Sequence, residues 1–237
     1  MVIAGPRAEV LEATASSIGA QWVSGDVRVE EDATRIVDIC VERCGRLDAL
    51  VNNAGGQYFV PAEAIEPKGW RAVHRLNVGA TELMSRVAVE RAFRQSGGGT
   101  IVNVTLSPHH GLPGMTHSSA ARAAVEGYTR AWARQWSGLG VAVVAVAAGH
   151  FDTESLRKYP EPVWRAAAST VPLGRLGREA EHAWLVALAC SPLGRALSGS
   201  VITLDGARDN WFGPWPPRSL AGEDGVVPTE ERRPAAS

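Results

Sequence analysis

The sequence predicts an α/β fold, a three-layer doubly wound parallel sheet with helices on both faces, from three observations. Strand-like and helix-like stretches alternate along the chain, as a parallel sheet with helical crossovers requires. One apolar run, Asp48-Ala49-Leu50-Val51-Asn52-Asn53-Ala54-Gly55-Gly56, ends abruptly in two carboxamides and two glycines. Leu50 and Val51 read as the end of a buried strand. Asn53 to Gly56 read as a turn whose small residues let the backbone approach a ligand at the carboxyl edge of the sheet. Finally, 237 residues with 45% hydrophobic content suit one domain with a large core.

The elements follow in order. Val2-Ile3-Ala4 is a short strand, and Glu9 to Ile18 is a helix with Val10, Leu11, Thr14 and Ile18 on one side. Gln21 to Val27 is the next strand and Glu30 to Cys44 the next helix, leading to the strand Ala49 to Asn52. Trp70 to Arg94 reads as one long helix, stopped by Gly97-Gly98-Gly99. Strand Thr100 to Val104, helix Ser118 to Ser137, strand Val141 to Ala147, helix Glu179 to Cys190 and strand Ser200 to Leu204 complete the alternation. These residues, 1–208, form the expected domain. From Asp209 onward (209–237) the chain turns aromatic and proline-rich, with Trp211 to Pro217 read as packed extended chain and the residues after Gly222 as a disordered tail.

Composition excludes several classes of function. Net charge is −1, which leaves no electrostatic footprint for nucleic acid, although all but Lys68 and Lys158 of the 24 cations are Arg. No apolar run approaches the roughly 20 residues of a membrane helix, and no signal-peptide pattern opens the chain, so neither membrane nor export is expected and the location is taken as cytoplasmic. Three cysteines, an odd count, argue against a disulfide framework. Cys40 and Cys44 lie one helical turn apart, but no His or carboxylate pattern completes a metal site, and they read as half-buried helix residues. No metal is expected.

The Asn52-Asn53-Ala54-Gly55 stretch resembles the Asn-Asn-Ala-Gly motif of the short-chain dehydrogenase/reductase family, and the resemblance runs from about Val2 to Asp205. It implies a Rossmann-like sheet that binds a nicotinamide dinucleotide at its carboxyl edge. The family opens with a strand, a glycine-rich turn and a helix that receive the pyrophosphate, and no such unit precedes Val2. Val2 to Arg7 resembles the family's second strand. The expected sheet therefore lacks the usual first strand, which is central in the family, and its helix. Arg7 stands where a basic residue accommodates a 2′-phosphate, which favours NADP(H), with NAD(H) the alternative. Asp26 and Val27 match the pair that meets adenine, while Asn53, Ala54 and Gly55 approach the cofactor. Gly149 and Thr153 fall in Ala148-Gly149-His150-Phe151-Asp152-Thr153, which resembles the family's Pro-Gly-x-x-x-Thr at the nicotinamide, with Ala148 loosening the turn.

The family's catalytic Tyr needs a Lys one helical turn later, because a neutral phenol is a weak acid and base at neutral pH without a neighbouring cation. Here the residues four before the two lysines are Ala64 and Glu154, so that pair is absent. The matching block is Thr116-His117-Ser118-Ser119-Ala120-Ala121-Arg122-Ala123-Ala124-Val125, with Ser118 in place of Tyr and Arg122 in place of Lys. Spaced i and i+4 on a helix, they share one face. This block, with Gly111 to Met115 and Gly55-Gly56-Gln57, resembles a divergent branch containing peroxisomal trans-2-enoyl-CoA reductases and citronellol-type dehydrogenases. Asn77 matches the family's Asn, which works with a bound water inside an irregular helix. The register for the family's Ser puts Leu106 there, leaving Thr105 or Ser107 to serve, with Ser107 preferred.

Arg stays protonated and forks to hydroxyls, so Arg122 is expected to anchor ribose and lend positive potential to an enolate. Ser118, with Ser107 or Thr105, is expected to polarise a thioester oxygen. The implied function is NADP(H)-dependent reduction of an α,β-unsaturated acyl thioester such as an acyl-CoA. Two alternatives remain open: a dehydrogenase of a terpenoid or other secondary alcohol, and a non-catalytic binding or assembly subunit. Stripes at Trp70, Val73, Asn77 and Leu83 to Val87, and at Val125, Tyr128, Trp132 and Trp136, predict a homodimer or homotetramer. Ordinary core packing is the competing explanation for both stripes.

Overall fold

The structure, a computed structural model, describes residues 1–107, 109–158 and 161–210. The sequence features at Trp211–Pro217 and in the tail lie outside these residues. Among the described residues the strands are β1 (Val2–Gly5), β2 (Gln21–Ser24), β3 (Ala49–Asn52), β4 (Gly99–Leu106), β5 (Val141–Ala148) and β6 (Val201–Leu204). The helices are α1 (Ala8–Ile18), α2 (Glu30–Cys44), α3 (residues 67–96), α4 (Thr116–Gln135), α5 (Glu154–Arg157), α6 (Glu161–Ser169) and α7 (Glu179–Cys190). Of these, α2, β3 and α7 have the predicted bounds. Strand β2 stops at Ser24 instead of Val27, because Gly25 and Asp26 turn: the Val29 N–H donates to the Asp26 carbonyl at 2.9 Å and the Asp26 N–H to Asp32 Oδ2 at 2.8 Å. Helix α4 begins two residues before Ser118 and gives way to a 3₁₀ turn at Ser137–Leu139. The short helices α5 and α6 were not foreseen, since neither stretch carries a long apolar period.

All strand pairs are parallel, in two hydrogen-bonded blocks, β2-β1 and β3-β4-β5-β6. The interruption falls between β1 and β3, where the family resemblance places a further strand. In consequence Val51 of β3 is 40% exposed although it is apolar. The outer edge of β2 is blunted differently. Arg43 and Arg35, on one side of α2, donate to the Trp22 and Ser24 carbonyls at 3.2 and 2.7 Å, which occupies acceptors that another strand could pair with.

Strand β5, Val141 to Ala148, is buried along nearly its whole length, which explains why it reads as unbroken apolar residues. One core joins both blocks: Val23, Ile36 and Val37 pack with Leu83, Met84, Phe93, Ile101, Trp132, Trp136 and Val143. On the other face Val102, Val144 and Val146 meet Ala189 of α7. The stripe predicted to meet a partner belongs largely to the first core. Val73, Leu83, Met84, Val87, Val125, Trp132 and Trp136 are buried, and the rings of Tyr128, Trp132 and Trp136 stack successively at 4.6 and 5.0 Å. Those aromatics serve packing, so they no longer argue for oligomerisation. Of the two stripes Trp70 is exposed, at 38%, and the more exposed large apolar side chains lie elsewhere, with Trp184 on α7 at 76%. Helix α3 is continuous but carries two π-helical segments, Arg75–Gly79 and Val89–Phe93, and the first holds Asn77.

Candidate active site

Parallel strands bring their carboxyl ends to one edge, so the residues after β3, β4, β5 and β6 converge there. After β3 the two carboxamides part company. Asn52 turns inward, donating to Ser85 Oγ at 3.0 Å and to Asn103 Oδ1 at 2.9 Å, and Asn103 in turn donates to Thr129 at 3.0 Å. It is a buried tie between β3, β4, α3 and α4. Asn53, Ala54 and Gly55 are exposed at the edge.

Gly55 marks the centre of the site. A Cβ there would overlap Arg122 Nη2 and fall 2.8 Å from Asn77 Oδ1, so only a glycine admits both groups. The π-helical widening of α3 aims Asn77 at the turn. Fully buried, Asn77 receives the Gly56 N–H at 3.2 Å and donates to the Gly56 and Val73 carbonyls, both at 2.8 Å. Both amide hydrogens are thus engaged, and Asn77 fixes the 55–57 backbone. The expected partnership with a water is left one lone pair of Oδ1.

Arg122 Nη1 donates to the Val104 carbonyl at 2.8 Å, while its Nε is buried without a partner. No carboxylate pairs with it among the described residues. Burial pushes its guanidinium down to about 10, so it remains a cation at neutral pH, held in a desolvated place without a counter-ion. Ser118, with 0% of its surface exposed, donates its hydroxyl to Gln57 Oε1 at 2.6 Å. The structure therefore brings together Gly55, Asn77, Arg122, Ser118 and Gln57. Gln57 was read only as part of a motif, since nothing in the sequence shows that it meets a serine 61 positions away.

The two hydroxyls proposed for the missing Ser are committed elsewhere. Ser107 is fully buried and donates to Asp205, and Thr105 donates to Glu126 at 3.1 Å. The reason is strand alternation: Asn103, Thr105 and Ser107 share one face of β4, while Val104 and Leu106 take the other. Around Glu126 and Asp205 lies a network that the sequence did not reveal. His109 Nε2 lies 3.0 Å from Glu126 and its Nδ1 2.6 Å from Asp209, whose N–H donates to Asp205 at 2.7 Å. Burial opposes the His109 cation, but the Asp209 and Glu126 carboxylates outweigh it and raise its pKa.

A family model described as enoyl-(acyl carrier protein) reductase matches residues 2–207. A probable 2,4-dienoyl-CoA reductase of Bacillus subtilis (strain 168) is 34% identical over 228 residues, covering 91% of this chain and 88% of the relative. The chain belongs to the short-chain dehydrogenase/reductase family. A 3-oxoacyl-(acyl-carrier-protein) reductase of Thermotoga maritima is 32% identical, with 76% of this chain and 74% of that one covered. Among solved structures, a citronellol catabolism dehydrogenase of Pseudomonas aeruginosa PAO1 has a TM-score of 0.77 and 35% identity, covering 88% of this chain and 83% of that one. The chain is thus one of the short-chain oxidoreductases, a family that generally uses NAD(P)(H).

The residues of this short-chain dehydrogenase/reductase accept such a cofactor unevenly. At the positions that the resemblance gives to the nicotinamide ribose the fit is good: an orphaned Arg122 Nε, the bare Gly55 and the exposed Asn53 and Ala54 lie together. After β5, Gly149 packs directly against Asp205, where a Cβ would collide. Thr153 caps α5, accepting the Leu156 N–H at 3.1 Å, and keeps its hydroxyl proton for another acceptor. Next to Gly149, burial followed by the Arg208 guanidinium lowers His150 to about 4, leaving a neutral ring that accepts from Arg208 at 2.8 Å.

At the positions that the resemblance gives to adenosine, Asp26 is already committed, with Arg28 forked onto both its oxygens and holding its pKa down. Val27 packs against the core and Arg7 is exposed. Among the described residues no cluster of His, Cys, Asp and Glu suits a metal ion, and no helix is long and apolar enough to cross a membrane.

Proposed function

We propose that this oxidoreductase reduces an α,β-unsaturated acyl thioester with NADP(H). The observation that carries the reading is Arg122, a buried guanidinium without a carboxylate partner among the described residues; the resemblance sets it at the family's Lys, with Ser118 in place of the Tyr. NADPH, when bound, supplies the hydride to the β-carbon and leaves as NADP⁺. The displaced π pair comes to rest on the thioester oxygen as an enolate, and water protonates the α-carbon. Arg122 holds the ribose hydroxyls and lends positive potential to that oxygen, and its low-dielectric surroundings strengthen the effect. Ser118 and the side chain it bonds form the oxygen-facing wall, while Asn77 fixes the turn between them. Asn53, Ala54, Gly55, Gly149 and Thr153 line the cofactor, with Arg7 for a 2′-phosphate and Asp26 with Val27 for adenine. For Asp26 this requires release from Arg28. Ser107 and Thr105 take no part, because their hydroxyls are bound to Asp205 and Glu126.

The relatives named 2,4-dienoyl-CoA reductase support a conjugated thioester. The citronellol catabolism dehydrogenase neighbour supports the second reading, a terpenol or secondary-alcohol dehydrogenase. A guanidinium does not give up its proton usefully, and the residue four before Arg122 is Ser118 rather than a Tyr, which favours the first. The deciding experiment follows NADPH consumption with crotonyl-CoA and NADP⁺ reduction with citronellol, at cofactor concentrations up to millimolar. Thioester-dependent NADPH loss is expected. Alcohol oxidation without thioester reduction establishes the second reading, and tight binding of neither cofactor establishes a non-catalytic subunit. The proposal includes a homodimer or homotetramer, and a monomeric mass by light scattering at micromolar concentration refutes that part.

A further inference from the structure

We infer that Gln57 is the group that touches the substrate oxygen and that Ser118 acts by orienting it. The inference deepens the thioester reading above and rests on it. Ser118 has no exposed surface, whereas Gln57 is exposed on the turn that carries Gly55. A buried side chain beneath an exposed one meets a ligand only through its neighbour.

The bond between them sets the direction of the amide. Ser118 donates its proton to Gln57 Oε1 at 2.6 Å, which turns the Nε2 hydrogens of the planar carboxamide away from Ser118. Among the described residues Nε2 has no hydrogen-bond partner. An exposed donor, oriented from behind, thus stands two residues from the glycine on which the Arg122 guanidinium lies.

The backbone beneath Gln57 is held on both sides. Asn77 binds both polar groups of the Gly56 peptide at 2.8 and 3.2 Å, and the Val60 N–H donates to the Gly114 carbonyl at 2.9 Å. Phe59 covers Gly114 so closely that a Cβ there would overlap its ring, and the Tyr58 ring meets the His117 ring edge-on at 4.5 Å. A donor fixed before the reaction does not reorganise as charge develops, and such donors contribute most to stabilising an oxyanion. Moreover, an amide donates a hydrogen bond but keeps its proton. It therefore suits an enolate oxygen beside a cation and is no use to an alcohol that must lose a proton to a base.

Steady-state kinetics of the full chain with NADPH and crotonyl-CoA test this. Gln57→Leu keeps the size and removes the donor, and should lower kcat about 100-fold with little change in KM, as loss of one oxyanion donor does. Ser118→Ala, which frees the amide to rotate, should lower kcat about 10-fold, and Ser118→Thr should restore most of it. Gln57→Glu supplies a readout that a merely structural role does not move: a carboxylate repels the enolate, and only the protonated acid donates. Its rate should match Gln57→Leu at neutral pH and rise as pH falls toward the carboxyl range, while the unaltered chain shows no such rise. Gln57→Leu with kcat within threefold of the unaltered chain, or Gln57→Glu without the acid-side recovery, overturns the inference and leaves the thioester reading standing. An unaltered chain that reduces no unsaturated thioester overturns both.

Discussion

Replacing Arg122 with Met should abolish turnover while leaving the fold as stable as before or more so. Burial brings the guanidinium from its ordinary range down to about 10. That displacement corresponds to roughly 3 kcal/mol by which folding disfavours the cation at neutral pH. The sign follows from linkage: the unfolded chain holds this proton more tightly, so the penalty is complete below about 10 and is relieved only above it. Met keeps most of the aliphatic stem and removes the charge. Against the gain stands the lost bond from Nη1 to the Val104 carbonyl at 2.8 Å. An orphaned buried carbonyl costs about 1–3 kcal/mol. The balance lies between zero and about 2 kcal/mol of added stability, or up to roughly 8 °C in the unfolding midpoint for a domain of this size. Urea and thermal unfolding at neutral pH measure it. NADPH at a hundred times its dissociation constant should also stabilise the unaltered chain by about 2.7 kcal/mol, and the variant far less at that concentration. A variant destabilised by more than about 1 kcal/mol refutes the account of Arg122 as a buried charge retained for function.

Three further expectations follow from the same contacts. Asn103→Leu removes one partner each from the Asn52 amide, which keeps Ser85, and from the Thr129 hydroxyl, which keeps the Val125 carbonyl, and should cost about 1–3 kcal/mol in urea unfolding; a change under about 0.5 kcal/mol counts against the buried tie. His109, whose pKa is raised in the fold, contributes stability that is complete below about 6.5 and fades as pH rises through the higher folded value. The stability difference between the unaltered chain and His109→Gln should accordingly shrink from acidic to mildly alkaline pH, and a constant difference excludes the bridge from Glu126 to Asp209. Lastly, among the described residues β1 and β3 each have a strand neighbour on one side only. Joining a parallel strand, a glycine-rich turn and a helix ahead of Val2 should tighten NADPH binding by more than about 100-fold, because several charge-assisted backbone hydrogen bonds to pyrophosphate are added. Calorimetry on both proteins decides it, and equal affinities show that the pyrophosphate is held some other way.

Residue order alone determined what depends on neighbours in the chain. The period-3.6 pattern of Glu30–Cys44 with its glycine stop, the Ala- and Leu-rich stretch Glu179–Cys190 and the short apolar run Ala49–Asn52 gave elements with the observed bounds, because periodicity, helix propensity and chain stops act locally. The pairing of Ser118 with Arg122 was legible for the same reason, since an i, i+4 spacing fixes a shared helical face. Where a side chain finds its partner across the fold was decided by the tertiary structure. Ser107 and Thr105 looked free, but strand alternation on β4 aims them at Asp205 and Glu126, residues 98 and 21 positions away. Tyr128, Trp132 and Trp136 suggested an external partner, yet the packing of α4 buries Trp132 and Trp136 and stacks Tyr128 on them. Asn77 was recognised by its place in the chain, but its work on the Gly56 peptide depends on a π-helical turn that no local pattern announces. Gln57 and Ser118 meet because the turn after β3 and the first turn of α4 reach the same edge of a parallel sheet. That encounter is a property of topology, which a linear pattern of residue types does not contain.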